Sequence, residues 1–389
     1  MSFPRIESLV AVAQEQTGHD DLGEDSWQEG LDRLLHALEH EAALNDLGRA
    51  IVTGELTGYL ATRLGIVAER ARHPEIADAD VVPPIVIVGQ GRTGTTILYD
   101  LLAQDPETRV PLTWEVERPF PPPETATYET DPRIDEVEAT QAAVDLVIPG
   151  FRTMHPLGAR LAQECVRITG VDFRSMIFPT QYRVPSYARW LLDEADMASA
   201  YRWHRMFLQH LQSRHPTRRW VLKSPGHIWC LGALLDEYPD AILVQTHRDP
   251  LRIIASLGSL VSTLRSLASD STSIPEAAAE FADYIVDGLD RSVVARSDGT
   301  IAPGQVLDVQ FAEFMADPLA TVASLAERLG APLSADVEQR MRAFLAANPQ
   351  DKHGGHRYTF AATGLDEATL RARVRRYQEA FAVPSEVLP

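Results

Sequence analysis

Residues 81–102 read VVPPIVIVGQGRTGTTILYDLL. Ile85 to Val88 form a β-branched run with Pro83 and Pro84 before it and Gly89 after it, the pattern of a buried strand in a parallel sheet. Gly89, Gly91 and Gly94 free the backbone to turn. Thr95 and Thr96 then open a helix whose Ile97, Leu98, Leu101 and Leu102 recur on one face. The unpaired amides and the dipole of that first helical turn make a seat for an anion. The spacing from Gly89 to Gly94, followed by Thr95-Thr96, is that of the phosphate loop G-x-x-x-x-G-K-[ST], except that the lysine is missing and Arg92 stands inside the loop.

That departure bears on the chemistry. A nucleoside triphosphatase uses the loop lysine on the terminal phosphates and a hydroxyl on magnesium, and Thr95 cannot replace the lysine. Gly91-Arg92-Thr93-Gly94-Thr95-Thr96 instead resembles the P-[RK]-S-G-T-T loop of the sulfotransferases that use 3′-phosphoadenosine 5′-phosphosulfate (PAPS). Gly91 replaces the proline and Thr93 the serine, while the glycine, the cation and the paired threonines stand. The resemblance implies an α/β fold, a P-loop-NTPase-like parallel sheet flanked by helices. It also implies sulfuryl transfer from PAPS to a hydroxyl, with adenosine 3′,5′-bisphosphate as the product. A sulfuryl group carries less charge than a phosphoryl group, so protein cations are expected to replace a metal.

Two later stretches repeat the family's order. Trp220 to Leu222 is a short strand, and Lys223 emerges at its carboxyl end, where ligands collect in open α/β sheets. In the family such a lysine stabilises the leaving group, and in the cytosolic animal branch a histidine two positions on is the base. Here His227 falls four positions on, after Pro225-Gly226, where a histidine also serves as an ordinary turn residue. Ala241 to Thr246 is another buried strand, followed by His247-Arg248-Asp249-Pro250. Family members grip the 3′-phosphate with an arginine here and a serine eight residues later, and Arg248 and Ser256 have that spacing. Arg248 offers a fork of donors, and Ser256 lies two turns along the next helix.

Glu115 is a second candidate base, because the tyrosylprotein branch places its catalytic glutamate at a similar distance past the loop. Glu164-Cys165 resembles a pair seen in bacterial members and is read as packing. The late segment Lys352-His353-Gly354-Gly355-His356-Arg357-Tyr358 resembles the loop that closes the nucleotide site, with Lys352, Gly354, His356 and Arg357 as its contacts. A metal site built on His353 and His356 is the rival reading, without the further ligands such a site needs.

Composition sets the bounds. The 389 residues are 45% hydrophobic, enough for a large core. A formal net charge of −19 argues against a nucleic-acid surface. Cys165 and Cys230 are the only cysteines, and neither a membrane span nor a secretory leader is evident, so a cytoplasmic protein is expected. Only two of the 36 basic residues are lysine, Lys223 and Lys352, which singles out both.

Residues 1–80 read as a helical N-terminal extension of two helices. One carries Trp27, Leu31, Leu34, Leu35 and Leu38; the other, broken near Gly54, carries Leu47, Ile51, Leu60, Leu64 and Val67. A part in homodimerisation or in covering the acceptor pocket would suit them. Residues 81–389 form the α/β domain, with Gln305 to Phe311 as a further strand. An aromatic-rich helical insertion at about 134–213, with breaks at Pro149, Pro156, Pro179 and Pro185, is the natural place for a small-molecule hydroxyl acceptor. An apolar or amphipathic alcohol, a phenol or a glycolipid fits that composition. The alternatives are a P-loop-type small-molecule kinase or nucleotide hydrolase, and a nucleotide-binding protein without catalysis.

Overall fold

The computed structural model describes residues 3–148, 151–349 and 356–389. Among them, β1 (Ile85–Val88), β2 (Thr108–Arg109), β3 (Arg219–Lys223), β4 (Ile242–His247) and β5 (Val306–Gln310) form one parallel sheet in the order β2-β3-β1-β4-β5. Every residue of β1 is buried, because helices cover both faces. Ile85 and Ile87 pack with Leu98 and Leu101 of α4 (Thr95–Leu102), whereas Val86 and Val88 point into the larger core on the opposite face. In register, Ile87 pairs with Lys223 on one side and Val244 on the other. The carboxyl ends of the three central strands therefore meet at one edge.

Among the described residues the N-terminal region holds three α-helices rather than two: α1 (Ile6–Thr17), α2 (Ser26–His40) and α3 (Asp46–Arg72). α1 buries Leu9 and Ala13. α3 runs unbroken through Gly54 and Gly58, contrary to the expected break. Both glycines face open space, and the roughly 1 kcal/mol that each costs a helix is offset by Val52, Leu56, Leu60 and Leu64 on the buried face. These helices share one contiguous apolar cluster with Phe173, Phe178 and Tyr187 of the insertion. Arg63 fastens the two regions. Its Nη1 meets Asp172 at 3.0 Å, its Nε donates to the Leu22 carbonyl at 2.7 Å, and its guanidinium lies 3.7 Å from the Trp203 ring centroid.

Strand β2 is only two residues long, and the segment that follows it is α5 (Thr113–Glu117). The Glu115 carboxylate turns back to accept the Leu112 amide at 2.9 Å, capping a helix where a strand would leave both groups apart. The insertion then contributes α6 (Pro132–Val147), α7 (Cys165–Thr169), α8 (Ile177–Gln181), α9 (Pro185–Asp193) and α10 (Ala198–Gln212). Pro185 opens α9, and Pro179 lies in the first turn of α8, where its missing amide breaks nothing. After β3 come α11 (Leu231–Glu237), then α12 (Pro250–Arg265) and α13 (Ile274–Ser297) beyond β4. α14 (Phe311–Ala316), α15 (Pro318–Arg328), α16 (Ala335–Ala347) and α17 (Glu367–Ala380) complete the chain. No helix among the described residues is long and apolar enough to cross a membrane.

Candidate active site

The loop between β1 and α4 takes conformations that its sequence permits at some positions and forces at others. Gly89 has φ +124°, and a Cβ there would lie 2.6 Å from Thr246 Oγ1 and 2.8 Å from the Thr246 carbonyl. Only glycine fits against β4 at that point. Arg92 has φ +70°, a left-handed conformation that long side chains avoid and that functional loops retain. Thr93 is held underneath, donating to the Gln90 carbonyl at 2.6 Å with Thr246 Oγ1 also at 2.6 Å, a role for which its hydroxyl suffices. Gly94, at φ +86°, begins α4 with no side-chain cap, which leaves the first-turn amides for an anion.

Arg92, Arg248 and Ser256 come together. Arg92 Nε donates to Ser256 Oγ at 3.0 Å, Arg92 Nη1 donates to the Met154 carbonyl at 3.0 Å, and Arg248 Nη1 donates to the Arg92 carbonyl at 2.9 Å. Arg248 also stacks on Phe311, 3.9 Å from the ring centroid, and directs Nε and Nη2 to Glu386 at 2.9 and 3.2 Å. Burial first, and then the nearby Arg248, push Arg92 below its ordinary range against an opposing Tyr358. Both arginines line the same cleft, so an anion there would meet two cationic side chains, one of them already paired with Glu386.

The cleft they face has a volume of ≈ 780 Å³. Arg92, Gly94, Thr95, Thr96 and Arg248 line one part, while Ile97, Ile134, Leu157, Leu161, Met315 and Phe344 make much of the rest apolar. Asp100, one turn beyond Thr96 on α4, also reaches the cleft, and burial raises its carboxyl to about 6 against the pull of Lys223.

Lys223 stands at the end of β3, 2% exposed, and its Nζ donates to the Glu164 carboxylate. Burial alone would raise Glu164, but Lys223, with His155 and Arg167, holds it below the ordinary carboxylate range. His155 Nδ1 bonds to the Pro156 carbonyl at 2.8 Å, and the charges of Glu164, Lys223 and Arg92 all act on this ring. The sequence reading passed over His155, which sits in no motif, and Asp100. It noticed Glu164 beside Cys165 without the lysine that gives it a partner.

The two expected bases sit elsewhere. Glu115 is fully buried, accepting from Arg109 Nη2 and the Leu112 amide, and it does not line the cleft. His227 is 2% exposed, with Nδ1 at 2.8 Å from the Tyr201 hydroxyl; burial, then His204, pushes it down to about 3. It faces a separate small cavity with Cys165 and Tyr201. Both residues answer local needs, a helix cap with its counter-ion and a turn with its hydroxyl partner. Of the late basic loop, Lys352 and Gly354 lie outside the described residues, as does His353. His356 bonds through Nε2 to Ser259 Oγ at 3.0 Å on the helix that carries Ser256, and Arg357 is exposed. No group of three or more His, Cys, Asp or Glu among the described residues could hold a metal ion.

Comparisons with known proteins fit this geometry. The sulfotransferase family pattern matches residues 83–335, from the start of β1 past β5. The omega-hydroxy-beta-dihydromenaquinone-9 sulfotransferase Stf3 of Mycobacterium bovis is 24% identical over 325 residues, 80% of this chain and 78% of its own. Among solved structures, sulfotransferase STF9 from Mycobacterium avium aligns with a TM-score of 0.89 and 32% identity, covering 98% of this chain and 97% of that one. Sulfotransferase STF1 from Mycobacterium tuberculosis H37Rv aligns at 0.85 and 32%, covering 95% and 98%. With the anion loop, the paired arginines and the strand-end lysine inside a match of this extent, the chain belongs to the sulfotransferase family and is a sulfotransferase.

Proposed function

We propose that the sulfuryl donor is PAPS and that the acceptor is a hydroxyl on a lipophilic small molecule. The observation that carries this reading is one cleft lined both by the cations Arg92 and Arg248 and by apolar side chains such as Ile97, Leu157, Leu161 and Met315, with Asp135, Glu138 and Arg160 also on its wall. The Mycobacterium bovis relative, whose name gives an omega-hydroxylated dihydromenaquinone as its acceptor, supports a lipid-like alcohol.

The residues fit the donor's charges. The uncapped first turn of α4 and the Arg92 guanidinium would hold the 5′-phosphosulfate, and Arg248 with Ser256 the 3′-phosphate. PAPS supplies a sulfuryl group already activated on a phosphate leaving group. Lys223 would donate to the oxygen on which charge grows, from a fixed position in a dry site where such a donor acts most strongly.

Calorimetric titration tests the donor site, using adenosine 3′,5′-bisphosphate with the wild type and with Arg248→Ala, and ATP with magnesium in parallel. Micromolar binding of the bisphosphate that drops by at least about 100-fold in the variant is the expected result, the loss of a charge-assisted bidentate contact. Binding of ATP with magnesium and indifference to the bisphosphate would overturn the reading in favour of a kinase or hydrolase.

A further inference from the structure

Thr96, Ile97 and Asp100 of α4 line the cleft, while Leu98, Tyr99, Leu101 and Leu102 turn into the core. The spacing puts Asp100 one turn past Thr96 on the same face, about 6 Å further along the axis. Helical side chains lean toward the N-terminus of their own helix, so this carboxyl leans back toward the uncapped first turn, the seat for an anion. A carboxylate there repels the charge that the seat attracts.

Asp100 has no side-chain hydrogen bond or ion pair among the described residues. The other two carboxyls on the cleft wall stand on α6 and are exposed: Asp135 in its first turn, and Glu138, which accepts the Ala159 amide at 2.8 Å. The cations that share the cleft are engaged elsewhere. Arg92 holds Ser256 and the Met154 carbonyl, and Arg248 holds Glu386. Arg152 donates to the Leu157 carbonyl at 3.0 Å and Arg160 to Glu129 at 2.5 Å. Beneath α4, β3 brings one charge, Lys223, which Glu164 holds. β1 and α15 meet α4 with apolar side chains, and Glu327 and Arg328 at the end of α15 are exposed. Among the described residues, Asp100 is thus the acid of this wall that is both shielded from solvent and unpaired. We propose that Asp100 couples the donor site to a proton: the nucleotide's 5′ charges and the neutral carboxyl are held together, and the ionised carboxylate promotes departure of adenosine 3′,5′-bisphosphate.

The coupling rests on the PAPS reading above, which seats those charges at the start of α4. Burial raises the carboxyl to about 6 with Lys223 pulling the other way, so without nucleotide Asp100 is mostly ionised at pH 7.5. An anion about one turn away penalises the charged form and raises the pKa further, by about one unit. Binding then draws in a proton between about pH 6 and 7. Below that window the carboxyl is neutral with or without nucleotide and repels nothing. Above it the carboxylate is ionised in both states, and affinity is lower by about tenfold, the equivalent of one pKa unit.

The test is calorimetric titration with adenosine 3′,5′-bisphosphate from pH 5.5 to 8.5, using the wild type, Asp100→Asn and Asp135→Asn. Buffers of different ionisation enthalpy count the protons taken up. The ligand's own phosphates titrate alike in all three titrations, so the differences report the protein. Near pH 6.5 the wild type should take up about half a proton more than Asp100→Asn. Asp100→Asn should bind about tenfold tighter than the wild type at pH 8 and within about twofold of it at pH 5.5. Asp135→Asn removes a charge from the same wall at an exposed position and should change affinity less than about threefold at any pH. In wild-type protein labelled at the aspartate carboxyl carbons, one carboxyl titrating near pH 6 should move up on addition of the bisphosphate, a readout that needs no variant. Equal proton counts and a constant affinity ratio between wild type and Asp100→Asn, an equal gain in Asp135→Asn, or a carboxyl titration indifferent to the bisphosphate would overturn the coupling. Failure of the wild type and both variants to bind the bisphosphate would instead remove the donor reading, and the coupling with it.

Discussion

Arg109 and Glu115 meet with their side chains 7% and 0% exposed, and Arg109 also lies 4.7 Å from the Trp220 ring centroid and donates to the Leu211 carbonyl at 3.2 Å. A carboxylate so enclosed holds structure together. Removing one partner leaves the other charged in a dry site, which costs about 3–5 kcal/mol. Glu115→Ala should therefore lower the free energy of unfolding by that amount, while the fraction that folds binds adenosine 3′,5′-bisphosphate as the wild type does. A base would behave in the opposite way, losing rate at unchanged stability, so thermal melts and titrations on one preparation separate the roles. Residue by residue, the sequence made the local part of the site readable. Arg92, the threonines, Arg248 and Ser256 stand at fixed offsets from a strand end, and such offsets survive into space. His155 lies on a connection between α6 and α7, far in sequence from Lys223, and no spacing rule links the two. Glu115 sits at a plausible distance from the loop, but a capping geometry that turns on one buried arginine cannot be read from that distance.

At the level of elements, the strands were legible because each is a short apolar run bounded by proline, glycine or charge, as β1, β3 and β4 show. The short β2 and the helix after it were not, because a single side-chain cap decided between strand and helix. The segment after α17 was also missed, and it bears on the nucleotide grip. Its backbone is tied down where the Glu386 amide donates to Asp249 Oδ2 at 2.7 Å and Arg252 Nη1 donates to the Val387 carbonyl at 3.1 Å. This placement delivers the Glu386 carboxylate to the same guanidinium that is assigned to the 3′-phosphate. A bound phosphate must share Arg248 with a fixed negative charge, so the segment weakens the grip it helps to shape. Glu386→Gln keeps the size and the donors' partner but removes the charge. Bisphosphate should bind severalfold tighter to this variant at low salt, with the gain shrinking as salt rises. Weaker binding by calorimetry would instead show that the carboxylate orients Arg248 productively.

Three of the buried imidazoles among the described residues lack an acidic partner, unlike His247, which is bonded to Asp308. His204 and His210 are fully buried on α10 and His227 nearly so, and burial is the main cause that pushes them down to about 3, about 4 and about 3. Each has one ring nitrogen bonded at 2.8 Å, to the Tyr238 hydroxyl, the Pro119 carbonyl and the Tyr201 hydroxyl, and the other nitrogen without a partner among the described residues. The unfolded chain titrates all three near 6.5, so between that pH and about 4 it binds up to three more protons than the folded state. Folding stability must then fall as the pH falls, at a rate approaching about 4 kcal/mol per pH unit from these groups alone. Protonation also relieves part of the net charge of −19, which works the other way, but exposed like charges are screened by salt and buried imidazoles are not. Asp308, held down to about 2 by His247 and Arg296 against its own burial, acts in the same direction only below the ordinary aspartate range, whereas Asp100, raised to about 6, takes up its proton first in the folded state and offsets about one of the three within this window. For a domain with an ordinary stability of 5–15 kcal/mol, acid unfolding is expected near pH 5. Urea denaturation from pH 7.5 to 5 should show the midpoint dropping steeply below about 6.5, and His204→Gln, which cannot titrate, should flatten that slope by about one proton. A midpoint constant across the range would mean that the interior admits the charged rings, and with them water, into the core that joins the N-terminal helices to the sheet.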